Sequence, residues 1–318
     1  MIESRPTDKP LISVVTVSDY KAGEDGSMDE LRQTLEGLAS QDFDGPVEFL
    51  LIEAAESAQN LPDDLNVILP TLRVVHAKAT TSYDLKNAGA EAASADRVVM
   101  LDADCAPHKQ WLSSLMRHWK EHPDAVAISG RTLYKTEGLL PKVFALLDRG
   151  YVDPGKAGPT DSISNNNGAF TRETMMKYPL KNDVGPFGSK PQSDQILADG
   201  GELRFEPDMV VYHGYGAWEM AQEVRKLQGY AMARYRKINP QAKYAWMYRL
   251  GPAGIPLIEG MGFLHSCFKV IQLHSQYDVK WYQIPIGWYV AARVHLIEAK
   301  GVLLGMNDKP LDFAEAYR

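Results

Sequence analysis

The chain has 318 residues, is 45% hydrophobic and 24% charged, and carries a net charge of −7. That make-up describes one large globular domain, or a domain with a sizeable appendage, and excludes a disordered, collagenous or disulfide-built protein. The two cysteines, Cys105 and Cys267, argue for a reducing cytoplasm, and the polar N-terminus MIESRPTDKP does not read as a secretory signal.

Along the chain, short apolar runs alternate with helical patterns. Residues 11–18 (LISVVTVS) read as a buried strand, 28–40 as an amphipathic helix, 47–54 (VEFLLIEA) as a second strand and 72–77 (LRVVHA) as a third. Helical spacing returns over 82–94, a fourth strand over 97–101 (RVVML), and a helix opened by Pro107 follows, with Trp111, Leu112, Leu115 and Trp119 on one face. Residues 125–130 supply a fifth strand. Continuous β-branched strands interleaved with helices predict a mainly parallel sheet covered on both faces, with ligands at the carboxyl ends of its strands.

The fourth strand ends in Asp102-Ala103-Asp104. With 23 Asp in the chain, chance alone supplies about 1.7 Asp-x-Asp triplets, so the motif needs its context. A second copy, Asp42-Phe43-Asp44, sits in QDFDGP between a helix and a strand and reads as turn chemistry. Asp102 and Asp104 instead stand where the ligand crevice belongs, and alternation puts both on one side, where their hard oxygens can share a divalent cation. The alternative use of Asp104 is as a helix cap.

The second half is less regular. Residues 150–162 (GYVDPGKAGPTDS) form a Gly- and Pro-rich loop suited to closing over a ligand, and Asn165, Asn166 and Asn167 precede a short apolar turn. A helix starts near Pro191 with Asp194 in its first turn, and 202–213 reads as a strand pair ending in His213.

In that order, the first 216 residues resemble the family 2 glycosyltransferases of the GT-A fold. The resemblance rests on SVVTVSDY, Glu53 ending the second strand, Lys86-Asn87-Ala88-Gly89, LDADCAPHKQWL, NNNGAFTRE, the Asp194 helix start, and the strand from Pro207 to His213. Three departures stand out: Val17-Ser18-Asp19-Tyr20 replaces the usual Pro-Thr/Ser-aromatic-Asn, Glu53 replaces an Asp, and Ser193 replaces the Glu that normally precedes the catalytic Asp.

The resemblance implies a non-processive, inverting hexosyltransferase that moves a sugar from a nucleotide-diphosphate donor to an acceptor hydroxyl. A UDP-sugar is favoured, with GDP- and dTDP-sugars as alternatives, and the acceptor is a saccharide or a lipid-linked molecule. Asp104 would hold Mg²⁺ or Mn²⁺ with Asp102, which also suits the donor ribose, and His213 is a third ligand or a phosphate contact. Asp194 matches the general base. Ser18, Asp19, Glu53 and Lys86 are expected at the nucleoside and its phosphates, and Asn165 to Asn167 at the acceptor. The competing reading is a catalytically silent nucleotide-sugar-binding protein of the same fold.

Charge divides the chain near residue 216. Residues 1–216 hold 21 Lys and Arg against 33 Asp and Glu, whereas 217–300 hold 11 against 5. No strongly basic domain or recognition motif calls for nucleic acid as a partner. Residues 217–238 read as a helix whose Gln222-Glu223-Val224-Arg225-Lys226 echoes the Gln-x-x-Arg-Trp of processive synthases without the Trp, leaving Arg225 as a candidate phosphate contact. Two apolar stretches, 253–271 and 281–305, are interrupted by charges and are not clean membrane spans. With four of the six Trp in this region, the helical 217–318 segment suits either a platform at the inner face of the cell membrane or a packing and homodimerisation subdomain.

Overall fold

The computed structural model describes residues 9–18, 28–79, 81–135, 137–182, 188–214 and 218–307; Asp19 lies outside them. The elements run β1 (Ile12–Val17), α1 (Asp29–Ala39), β2 (Val47–Ala54), α2 (Leu65–Ile68), β3 (Leu72–Ala77), α3 (Ser82–Ala92), β4 (Arg97–Asp102), β5 (Cys105–Pro107), α4 (Trp111–Glu121) and β6 (Ala125–Tyr134). They continue with α5 (Leu139–Arg149), β7 (Gly158–Pro159), β8 (Asn167–Thr171), α6 (Arg172–Lys177), α7 (Ser189–Ala198), β9 (Glu202–His213), α8 (Trp218–Ile238), α9 (Ala245–Tyr248), α10 (Ile255–Leu273) and α11 (Ile284–Met306).

One sheet runs in the order β3-β2-β1-β4-β8-β6-β9-β5, with β7 pairing on β9. The first four strands are parallel, as their unbroken apolar runs predict. Antiparallel strands enter beyond β4: β8 lies between β4 and β6, and β5 hangs on β9. The chain steps outward from β1 to β3 and then returns to place β4 on the other side of β1. That reversal opens a crevice at the carboxyl ends of β1 and β4, where α/β sheets bind ligands.

Two expectations shift. Pro107 closes β5 instead of opening a helix; β5 is an edge strand, where a missing N–H costs no ladder bond. Residues 202–213 form one strand, not two, broken by a bulge: Gly130 pairs with Glu206 but Arg131 with Val210. Gly130 is required there, because a Cβ would stand 2.2 Å from the Met209 carbonyl oxygen.

Helices pack on both sheet faces around two apolar clusters, one holding Leu35, Trp111 and Trp119, the other Leu85, Phe170 and Ile196. A third cluster joins α5 to α10 and α11 through Phe144, Val270 and Val290. There α8 and α11 approach backbone to backbone; a Cβ on Gly301 would lie 1.9 Å from the Lys226 carbonyl. Arg225 is buried in this seam, paired with Asp148 of α5 and with Glu298 of α11 at 2.9 Å.

Next along α11, His295 Nδ1 lies 2.8 Å from Glu259 and 3.1 Å from Glu298, with Ser266 on its other nitrogen. Burial disfavours the imidazolium, but the two carboxylates outweigh it and push the His295 pKa up to about 9. Glu259 and His295 border an open apolar groove of about 460 Å³, lined also by Phe263 and Leu296. Leu264 and Phe268 of α10, Tyr289 of α11 and Trp281 just before it are exposed. No helix among the described residues is long and apolar enough to cross a membrane.

The raised His295 pKa fixes a sign. A histidine raised from 6.5 stabilises the fold fully below pH 6.5, and that contribution is lost as pH climbs through 9. Thermal unfolding should therefore show stability falling by about 3 kcal/mol between pH 6.5 and 9.5, and His295→Gln should flatten that slope. A wild-type profile flat across this window would refute the protonated triad.

Candidate active site

The carboxyl edge of the parallel strands collects the polar residues. Val17 pairs with Ile52 on one side and Asp102 on the other, so Ser18, Glu53 and Asp102 emerge side by side from β1, β2 and β4. Glu53 is 2% exposed. Burial pushes its carboxyl above the usual range, opposed by the Ser18 hydroxyl and by the Ala54 N–H, which donates to Oε1 at 2.9 Å. A pocketed carboxyl beside a hydroxyl can hold a base edge by hydrogen bonds.

Asp102 forms a buried ion pair with Lys86 at 2.6 Å. In the step Lys86-Asn87-Ala88-Gly89, the lysine, the asparagine and the glycine each have a role. Thr81 caps α3 by accepting from the Asp84 N–H. Asn87 exchanges two hydrogen bonds with the Leu180 backbone, 2.9 and 3.0 Å. Gly89 lets the helix sit directly on β1, where a Cβ would meet Val15 at 2.2 Å. The helix thus docks closely enough for Lys86 to reach the end of β4; its charge faces Asp102 in this structure.

Asp104 follows two residues later, 3% exposed, and meets His213 across the β5–β9 ladder, where Cys105 pairs with His213. The His213 Nε2 lies 3.4 Å from Asp104 Oδ2, and Nδ1 is bound to the Gly214 carbonyl oxygen. With its proton on Nδ1, Nε2 presents a lone pair toward the carboxylate. An acid oxygen and an imidazole nitrogen at that spacing fit a shared Mn²⁺ or Mg²⁺, each at about 2.0–2.2 Å. Cys105, absent from the sequence expectations, adds a thiol 3.4 Å from Asp104 Oδ1, and the three ligand atoms fall within 4.8 Å of one another. Its only sequence signal was adjacency to Asp104.

Asp194 sits on α7, half-buried. It accepts from the Tyr235 hydroxyl at 2.6 Å and pairs with Lys190 at 2.8 Å. Tyr235 comes from α8, so the C-terminal region furnishes a direct partner of the base candidate. Ser193 is fully buried; its hydroxyl accepts from the Ile163 N–H and donates to the Ser189 carbonyl. An acid at 193 would place a charge in that closed space.

The three asparagines divide. Asn167 is structural: its carbonyl accepts from Trp111, and its amide donates to the carbonyls of Arg131 and Met209, so it stitches α4, β6 and the β9 bulge and has no free group for an acceptor. Asn166 accepts from Ser164 at 2.6 Å and donates toward Cys105. Asn165 is 6% exposed, and neither side-chain polar atom has a partner among the described residues. Arg225, expected at a phosphate, is instead consumed by Asp148 and Glu298. The 150–162 loop is anchored: Asp153 pairs with Arg131 at 2.8 Å, and Lys269 and Gln272 of α10 donate to the carbonyls of Asp153 and Pro154. Asp42 and Asp44 lie exposed in the α1–β2 turn, as expected of turn residues.

Residues 24–143 match the model of glycosyl transferase family 2. Among solved structures, the chain resembles the mannosyltransferase PcManGT from Pyrobaculum calidifontis in complex with GDP-Man and Mn²⁺. Identity is 15% and the TM-score 0.59, over 95% of this chain and 88% of that one. It also resembles S. aureus TarS 1-349 in complex with UDP, at 13% identity and TM-score 0.50, over 94% of this chain and 90% of that one. No curated protein matches. The likeness to these solved structures shows that the chain shares their fold, the GT-A fold.

The Lys86–Asp102 pair yields a stability test. Lys86→Met strands a buried carboxylate and should cost about 3 kcal/mol in denaturant unfolding. Lys86→Met combined with Asp102→Asn should recover much of that loss. If the two single costs simply add, the pair is not coupled.

Proposed function

We propose that the protein is a divalent-metal-dependent, inverting, non-processive glycosyltransferase that moves a sugar from a nucleotide-diphosphate donor to an acceptor hydroxyl. The observation that carries this reading is Asp104 facing His213 at the carboxyl end of β4, next to the crevice lined by Ser18 and Glu53. When bound, Mn²⁺ or Mg²⁺ would neutralise the charge that develops on the leaving diphosphate. Asp104 and His213 would hold it, with Cys105 at its flank. Glu53 and Ser18 would bind the base edge, a UDP-sugar being favoured and GDP- or dTDP-sugars the alternatives. Lys86 would keep Asp102 oriented for the donor ribose or the cation.

Asp194 is assigned the acceptor proton. Tyr235 and Lys190 fix its carboxylate, and the remaining lone pairs would accept from the incoming hydroxyl. Attack from the side opposite the leaving group would invert the anomeric carbon. The acceptor is a saccharide or a lipid-linked hydroxyl. For a lipid-linked acceptor, the exposed apolar residues of α10 and α11 would rest on the inner face of the cell membrane. Ser193 in place of an acid keeps one rival in view, a nucleotide-sugar binder without turnover.

Screening UDP-, GDP- and dTDP-sugars with Mn²⁺ should reveal transfer or donor hydrolysis that EDTA abolishes. Asp104→Ala and Asp194→Ala should each lower kcat by about 100-fold or more, and NMR of the product should show the inverted anomer. Unchanged turnover in both variants sinks the assignment, and affinity without turnover in the wild type selects the binder.

A further inference from the structure

Arg149 is the last residue of α5. Its Nη1 lies 3.5 Å from the Ser164 hydroxyl, and Ser164 donates to Asn166, whose amide reaches Cys105 beside Asp104. A continuous polar chain therefore runs from the guanidinium to the metal-site carboxylate. No carboxylate among the described residues lies within ion-pair distance of Arg149, and its Nε is buried without a hydrogen-bond partner. Asp148, the nearest acid in sequence, is already bound by Arg225 and by the Tyr134 hydroxyl.

A buried charge normally has a partner, because removing it from water is expensive. Beside Arg149 and Ser164 stands Asn165, 6% exposed, with both amide atoms unpartnered. The placement is specific as well. The segment 162–166 leads into β8, where Asn167 pairs with Leu101, one residue before Asp102. A guanidinium and an amide, both with unused hydrogen-bonding capacity, thus stand at the edge that carries the metal-site acid. Water could fill one such vacancy, but a phosphoryl oxygen joined to a polyhydroxylated group satisfies the cation and the amide together.

Resting on the glycosyltransferase reading, we propose that Arg149 and Asn165 form the subsite for the donor's terminal phosphate and the sugar attached to it. Arg149 supplies to the leaving phosphate a positive charge that does not depend on the metal, and Asn165 orients the sugar hydroxyls. Arg225, the arginine that sequence alone placed at the phosphates, is occupied elsewhere.

Calorimetry on the full chain in EDTA tests this, with UDP, GDP, UMP, GMP, UDP-glucose and GDP-mannose as probes. Wild type should bind the diphosphate of its preferred base more tightly than the monophosphate. Arg149→Met should weaken the diphosphate about tenfold or more and leave the monophosphate unchanged, with Arg149→Lys between them. Asn165→Ala should leave the diphosphate unchanged and weaken the nucleotide sugar. The ligand-free melting temperature of Arg149→Met should equal or exceed that of wild type, since the variant removes a buried charge. A folded Arg149→Met that keeps the diphosphate preference overturns the inference alone. So does a fall in its ligand-free melting temperature with that preference kept in Arg149→Lys, which marks a structural arginine. If wild type binds none of the probes in EDTA, the inference falls, and if it binds none of them with Mn²⁺ either, the glycosyltransferase reading falls with it.

Discussion

Three carboxylates, Glu53, Asp102 and Asp104, emerge at one edge of a buried sheet, and the surrounding structure is organised by the cost of keeping them there. Like charges in a poorly solvated site repel strongly, and each needs its own remedy. Asp102 is neutralised by Lys86, which requires α3 to lie close on the sheet, which in turn requires glycine at 89. Glu53 is eased by a raised pKa and by hydrogen bonds from Ser18 and Ala54. Asp104 faces a part-exposed histidine and a thiol, a donor set that suits a cation shared with the imidazole.

That ordering explains what could be read from residues alone. The β1-to-β4 region is built from local patterns: apolar runs, a cap at Thr81, an Asp-x-Asp at a strand end. Each depends on neighbours in sequence or on the general rule for parallel sheets, so the crevice and its acids were legible. Position also separated Asp102 and Asp104 from Asp42 and Asp44, whose composition is the same. The pairing of Asp104 with His213, 109 positions apart, was reachable only through the family resemblance; the β5–β9 ladder supplies its physical cause.

What stayed hidden depends on packing between distant segments. Asn165, Asn166 and Asn167 look alike in sequence, yet one is a structural stitch, one belongs to a polar relay and one has no partner. Only the Trp111 indole and the β9 bulge make that difference. The partners of Arg225 were hidden for the same reason. Arg225 sits in a motif that resembles a phosphate binder, but Glu298, on a helix 73 residues later, takes its charge. Ser193 looked like a lost catalytic acid, whereas its hydroxyl holds the backbone at Ile163.

The C-terminal helices are therefore more than an appendage, and their energetics show why. A buried ion pair is weak support for stability, since apolar residues of equal volume often do as well. Its stronger effect is on register: Arg225 can meet both Asp148 and Glu298 only when α8, α5 and α11 adopt one mutual alignment. Close contact at Gly301 tightens that alignment, because α8 cannot slide along α11 without a backbone clash. Ten residues beyond Arg225 on the same helix, Tyr235 places its hydroxyl 2.6 Å from Asp194. A shift of one helical turn, about 5.4 Å, would break that hydrogen bond and leave the base candidate with Lys190 alone. The buried pairs thus set the position of the tyrosine, and through it a basic helical segment outside the sheet governs the geometry of the carboxylate assigned to the acceptor's proton.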